Sequence, residues 1–194
     1  MRKRLFFAIN LDKKSIAALE RLVPNVEAPF RNGGTEIRFV PKEEWHVTIT
    51  FLGDQDDARL TDIIAAAKKV TDEFGPQEAE LESAVYGPKQ GGHSKMIWAA
   101  LARESSSRLG ELKTFLDDAL LDRGVSFSRE RRPFSGHVTL ARFKGENDDH
   151  LMPTLDLPIG IVFEATSIDL MESELGRSGP QYDVIQRFSL SGER

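Results

Sequence analysis

The tripeptide His-Val-Thr occurs twice, at 46–48 and at 137–139, and the two copies hold two of the chain's four histidines. Their separation, 137 − 46 = 91 residues, is a register that other segments share. At that offset "LFFAIN" from Leu5 falls on "MIWAAL" from Met96, and "SIAALERL" from Ser15 falls on "SSRLGELK" from Ser106. A unit of strand, helix, strand and histidine-bearing strand is therefore written twice. Such a duplication restricts the fold more than any composition does. Two like units pack about a pseudo-two-fold axis, which would set His46 opposite His137.

The intervening segments fit this plan. "RLFFAIN" predicts a strand, and "DKKSIAALERLVP" a helix capped by Asp12 and stopped by Pro24. Asn32-Gly33-Gly34 predicts a turn, "IRFV" a short strand, and "WHVTITFLG" a strong one. "DQDDARLTDIIAAAKKVTDEFG" and "RESSSRLGELKTFLDDALLDRG" predict two amphipathic helices, the second ended by Gly124. "AELESAVYGP", "MIWAALA" and "SGHVTLARF" predict strands, with "KQGGHSK" as a glycine-rich loop. The polar "GENDDHLMPTLDLP" predicts at most one helical turn. "IVFEATSIDLMES" and "QYDVIQRFSL" predict two long strands joined as a hairpin by "ELGRSGP". The expected architecture is α+β and bilobal: two pseudo-symmetric lobes of mostly antiparallel sheet, outer helices and a central groove. Residues 1–194 would form one domain, made of units at roughly 1–90 and 91–194.

Alternate residues of a strand share a face. On regular strands His46, Thr48 and Thr50 face one way, with Val47, Ile49 and Phe51 behind them. His137, Thr139 and Ala141 likewise share a face, opposite Val138 and Leu140. A buried polar face is costly unless paired or wet, so it serves best as the wall of a cleft. One such motif alone reads as an ordinary strand; two in register read as one site. His93 and His150 lack such company and read as surface residues.

Two imidazoles titrating near pH 6.5 can act as base and acid at neutral pH. Two hydroxyls can donate to non-bridging phosphate oxygens. This set suits in-line displacement at phosphorus, and a strained cyclic phosphodiester is its easiest substrate. Neither motif has the i, i+4 histidine pair or nearby carboxylates of a metal site, so no metal and no cofactor are expected. The absence of cysteine excludes thiolate ligands and cysteine nucleophiles. A net charge of −5 argues against a non-specific nucleic-acid coat. Local basic clusters, such as Arg129, Arg131 and Arg132, stay compatible with a basic cleft. The basic-then-apolar N-terminus is too short for a secretory signal, and no segment suits a membrane span, so a cytoplasmic, monomeric protein is expected.

"HVTI" and "HVTL" resemble the paired H-x-T-x motifs of the 2H phosphoesterase superfamily. More closely, the chain resembles the RNA 2',3'-cyclic phosphodiesterases, also called 2'-5' RNA ligases. The resemblance runs nearly end to end, through "RLFFAI", "HVTITFLGD", "HVTLAR" and "MESELGRSGPQYDVI" with its Ser173, Leu175, Gly179 and Tyr182. It implies hydrolysis of a 2',3'-cyclic phosphate, on RNA ends or nucleotides, to a 2'-phosphomonoester. His46 would be the proton donor to the leaving 3'-oxygen and His137 the proton acceptor for water. Thr48 and Thr139 would hold the phosphate. Run in reverse, the chemistry would join a 2',3'-cyclic phosphate to a 5'-hydroxyl as a 2'-5' linkage.

Where family members often carry arginine, four residues after the first histidine, this chain has Thr50. Arg38 and Arg142 are candidate compensating contacts, although regular alternation points Arg142 away from His137. Phe7 and Phe39 are candidates for stacking on a base, against a core reading. Other readings are a cyclic-nucleotide or ADP-ribose phosphodiesterase, an RNA 3'-end trimming enzyme, and a catalytically silent RNA- or nucleotide-binding module. The loops around 25–34 and 87–95 would carry such specificity.

Overall fold

The computed structural model describes residues 2–31, 35–90, 93–144, 152–155, 157–176 and 179–194. The expected turn at 32–34, the glycine pair 91–92, His150 with the stretch 145–151, and the hairpin turn 177–178 lie outside the described residues. The strands are β1 (Arg2–Asn10), β2 (Ile37–Phe39), β3 (His46–Asp56), β4 (Gln77–Gln90) and β5 (His93–Leu101). They continue with β6 (His137–Phe143), β7 (Leu157–Ala165), β8 (Ser167–Gly176) and β9 (Gly179–Ser189). The helices are α1 (Lys13–Glu27), α2 (Leu60–Glu73) and α3 (Arg103–Asp122).

All the strands join one sheet in the order β7-β4-β5-β6-β3-β1-β8-β9, with β2 on β6, and each pairing is antiparallel. The fold is α+β. The order outward from the β6/β3 seam follows the sequence register: β6 and β3 first, then β5 and β1. Residue 166 alone separates β7 from β8, which lie in opposite halves of that order. A one-residue connection can join them only because the sheet curls on itself. Each half draws strands from both ends of the chain, since β4 pairs with β5 and β7 while β8 pairs with β1.

This explains a departure from the sequence expectation. "IVFEATSIDLMES" is two strands, not one. Phe163 and Ala165 are buried in the first, then Ile168 and Leu170 in the second. The parity changes at Thr166-Ser167, and Thr166 accepts a hydrogen bond from the Leu190 amide at 2.9 Å. Pro24 likewise does not stop α1. The helix passes through it, Ala28 donating to the Pro24 carbonyl, because Val26 and Phe30 beyond it are buried and hold the chain down. Asp12 caps α1 as expected, its Oδ1 accepting from the Ser15 amide at 2.6 Å. Gly124 ends α3 in the left-handed region at φ 72°.

α3 packs on β3, β4 and α2, and α1 packs on β7. They cover one face of the sheet with a continuous core that includes Leu19, Ile63, Leu112 and Leu116. The opposite face carries a small separate cluster of Phe6, Ala8 and Met171, with Tyr182 against it. That second face is the groove.

Candidate functional site

At the seam β3 and β6 meet at one pair, Val47 against Val138. One residue on either way along that antiparallel register, His46 faces Thr139 and Thr48 faces His137. The expected His46–His137 opposition is therefore a diagonal. Antiparallel pairing about a central valine makes each histidine the neighbour of the other motif's threonine. All four side chains line one cleft of about 80 Å³, together with Glu44, Arg142 and Tyr182.

Each imidazole is tethered in the same way. His46 Nδ1 donates to the Glu44 carbonyl at 2.8 Å, and His137 Nδ1 donates to the Ser135 carbonyl at 3.0 Å. A carbonyl can only accept, so Nδ1 carries the proton in both rings and, in the neutral ring, Nε2 carries the lone pair.

Beyond the threonines both strands bulge, at equivalent places. Along β1 the register passes from Thr50 to Thr48 without Ile49, and along β5 from Ala141 to Thr139 without Leu140. The bulge reverses the parity of the residues beyond it. Arg142, expected to point away, turns into the cleft, and so does Phe51, expected in the core but 44% exposed. Thr50 turns the other way, is buried, and donates to Asp117 of α3 at 2.6 Å. Position 50 thus faces the core, and Arg142 and Arg4 supply cationic charge on the groove face.

The bulges also correct the repeat. Ala8 pairs with Thr48 and Trp98 with Thr139, so β1 and β5 correspond at an offset of 98 − 8 = 90 rather than 91. Phe7 consequently lies in the core, fully buried, packed against Phe188 at 6.3 Å between ring centroids. It is no substrate contact; its neighbour Phe6 holds the groove position. Phe39 also packs on the core, whereas Arg38 sits beside Arg142 in the β2–β6 register and shares its face.

A wider part of the cleft, about 420 Å³, continues from His46 and Thr48 between Arg4, Phe6, Phe51, Ser173 and Tyr182. Arg4 lies over the Phe51 ring at 4.9 Å, and Tyr182 meets Phe6 edge-on at 5.3 Å. A larger cleft, about 1020 Å³, runs along α3 beside residues 129–135 and touches the site only at Ser135. Its basic residues are largely neutralised: Arg129 pairs with Asp118, Arg132 with Glu130, and Lys113 with Asp117.

A model of the LigT-like phosphoesterase family matches residues 9–98. A curated Thermus thermophilus protein named RNA 2',3'-cyclic phosphodiesterase is 32% identical over 192 residues, covering 98% of this chain and 91% of that one. The chain belongs to the LigT-like phosphoesterase family, within the 2H phosphoesterase superfamily. A crystal structure of a Thermus thermophilus protein superposes with a TM-score of 0.81 at 28% identity, covering 98% of this chain and all of the other. Escherichia coli LigT in its apo form has the same fold, with a TM-score of 0.75 at 23% identity and 98% of each chain covered.

The two imidazoles of this family member have different surroundings. His46 sits between Phe6, at 5.2 Å, and the edge-on ring of Tyr182, at 5.1 Å. Burial, with Arg142 and His137 nearby, lowers its pKa to about 4 against the opposing hydrogen bond to Glu44. His137 lies flat on Trp98, with ring centroids 3.8 Å apart and planes 19° apart. Burial and Arg142 lower its pKa as well, against the bond to Ser135. Gly87 gives the indole its place: a Cβ there would lie 2.2 Å from a Trp98 ring carbon.

Phe6, Phe51, Trp98, Glu44 and Arg4 are groove residues that the sequence reading does not single out for the site. Glu44 has a signal, its place two residues before His46. The others depend on bulges that alternation does not show. Among the described residues no cluster of three or more His, Cys, Asp or Glu could hold a metal ion, and no helix is long and apolar enough to cross a membrane.

Proposed function

We propose that this chain hydrolyses the 2',3'-cyclic phosphate of RNA ends or nucleotides to a 2'-phosphomonoester by two-histidine acid–base catalysis. What carries the reading is one arrangement. Two imidazoles, each with Nδ1 tethered to the carbonyl two residues back, share a cleft with two threonine hydroxyls and an arginine.

His137 Nε2 takes a proton from water as the water oxygen bonds to phosphorus. The P–O3' bond breaks in line, and His46 Nε2 gives its proton to the leaving 3'-oxygen. The phosphate stays on the 2'-oxygen. Thr48 and Thr139 donate to the non-bridging oxygens, and Arg142 balances their charge. His46 must be protonated to serve as donor, and the phosphate anion that enters the cleft favours that state. The family membership and the names of the relatives support the substrate class. A 5'-hydroxyl admitted in place of water would instead give a 2'-5' linkage.

The test is incubation with oligonucleotides ending in a 2',3'-cyclic phosphate, with EDTA present, and resolution of 2'- from 3'-phosphate products. A 2'-phosphate product is expected. No turnover, a 3'-phosphate product, or loss of activity on chelation would overturn the reading.

A further inference from the structure

The cleft contains a residue that an anion site should avoid. Glu44 lines it with both histidines, both threonines and Arg142, and it is the acidic residue among the described residues lining either part of the cleft. Its position is fixed. It closes the short 3-10 turn Lys42–Glu44, and its own carbonyl holds the His46 ring. The charges that bear on it are Arg38 of β2, Arg142 of β6 and Glu43 of its own turn, and it in turn bears on Tyr182 of β9. Burial raises its pKa, while the two arginines pull it down.

The chemistry gives this carboxylate a use. A cyclic phosphodiester carries one negative charge. A phosphomonoester, whose second ionisation lies near pH 6, carries nearly two at neutral pH. Arg38 and Arg142 attract the product about twice as strongly as the substrate. A site with those arginines alone would retain its product.

We infer that Glu44 is a specificity and release residue, a carboxylate in the cleft that tolerates the monoanionic cyclic diester and expels the dianionic 2'-phosphomonoester. This rests on the cyclic phosphodiesterase reading above. Glu44 repels both anions, but the product about twice as strongly as the substrate. It therefore offsets the arginines most where they would hold too tightly.

The test is Glu44→Gln, which preserves shape and the backbone carbonyl, with thermal melting to establish that it folds. Binding of a nucleoside 2'-monophosphate is measured by calorimetry, and KM is measured for the matching 2',3'-cyclic nucleotide. The variant should bind product on the order of tenfold tighter and lower KM only about threefold, an electrostatic difference of the size expected for one against two charges. The gain should be larger at pH 8 than at pH 5.5, and with substrate in excess the first turnover should appear as a burst ahead of a slower, release-limited steady state. Product affinity unchanged or weakened, or equal tightening of both ligands, would overturn the inference. Failure of the wild-type protein to hydrolyse any 2',3'-cyclic phosphate would instead sink the functional reading, and calorimetry would still report on Glu44.

Discussion

Val47 lies across the seam from Val138, and that single pair sets the geometry of the site. Because the strands run antiparallel, each histidine gains the threonine of the other motif as its cross-strand neighbour. The two threonines therefore stand in equivalent relations to the cleft, and in the proposed reaction to the phosphate. Thr48→Val and Thr139→Val are expected to lower kcat/KM by similar factors, on the order of 10 to 100, the value of one hydrogen bond to a charged oxygen. Steady-state kinetics on a cyclic nucleotide would check this, and a large inequality would count against the shared-phosphate geometry.

In the proposed reaction, loss of either imidazole removes one proton transfer. His46→Ala and His137→Ala are each expected to lower kcat by about 10² to 10⁴. The double variant should lose much less than the product of the two factors, since the residues act as a unit. Far-UV circular dichroism should be unchanged in both, because the two side chains line a cleft and not the core.

The surroundings of His46 make a pH statement. Its pKa in the folded chain is lowered from 6.5 to about 4. Below pH 6.5 the unfolded chain takes up a proton at residue 46 that the folded chain refuses until about pH 4. Stability from this group is therefore full above pH 6.5 and falls as the pH drops through that window. NMR titration should find the His46 imidazole neutral at pH 5.5 in the free protein. A bound nucleoside 2'-monophosphate should move its titration upward, and the limb assigned to it should lie higher in kcat than in kcat/KM. Titration near 6.5 with and without ligand would contradict the burial argument.

The duplicated motif made the pairing of two histidine strands, the α+β class and the gathering of His46, Thr48, His137 and Thr139 in one cleft legible in the sequence. Periodicity failed wherever a strand departed from strict alternation. The bulges after Thr48 and Thr139 moved Arg142 and Phe51 into the groove and Thr50 out of it. The one-residue slip between the repeats exchanged Phe7 for Phe6. A bulge has no composition of its own; it shows only when the partner strand is known. The change of sheet half at Thr166 did leave a trace, two polar residues in succession that shift the apolar parity from Phe163 and Ala165 to Ile168 and Leu170.

Thr50 separates structure from catalysis. Its hydroxyl donates to Asp117, which is 1% exposed and also takes Lys113 at 2.5 Å. Thr50→Val would leave that buried carboxylate short of a donor, at a cost of about 1 to 3 kcal/mol. Denaturant unfolding should show this loss while kcat stays within about twofold, because the residue faces away from the groove. A large fall in kcat would mean that the bulge itself depends on this hydrogen bond.

Trp98 and Gly87 allow the orientation of His137 to be tested without touching it. The indole and imidazole centroids lie 3.8 Å apart, and a side chain at 87 would collide with that indole. A cation over an indole gains about 0.5 to 2 kcal/mol, so the stack favours the imidazolium that His137 would become in the proposed reaction on accepting a proton from water. Trp98→Leu is expected to lower kcat about tenfold with little change in KM, and to shift the limb of the pH profile assigned to His137 toward acid. Trp98→Phe should recover much of the loss, since it restores an aromatic face. Gly87→Ala should resemble Trp98→Leu, because displacing the indole removes the same contact. If Gly87→Ala lowers stability but leaves kcat and the pH limb where they are, Trp98 is packing alone and His137 is oriented by the Ser135 carbonyl.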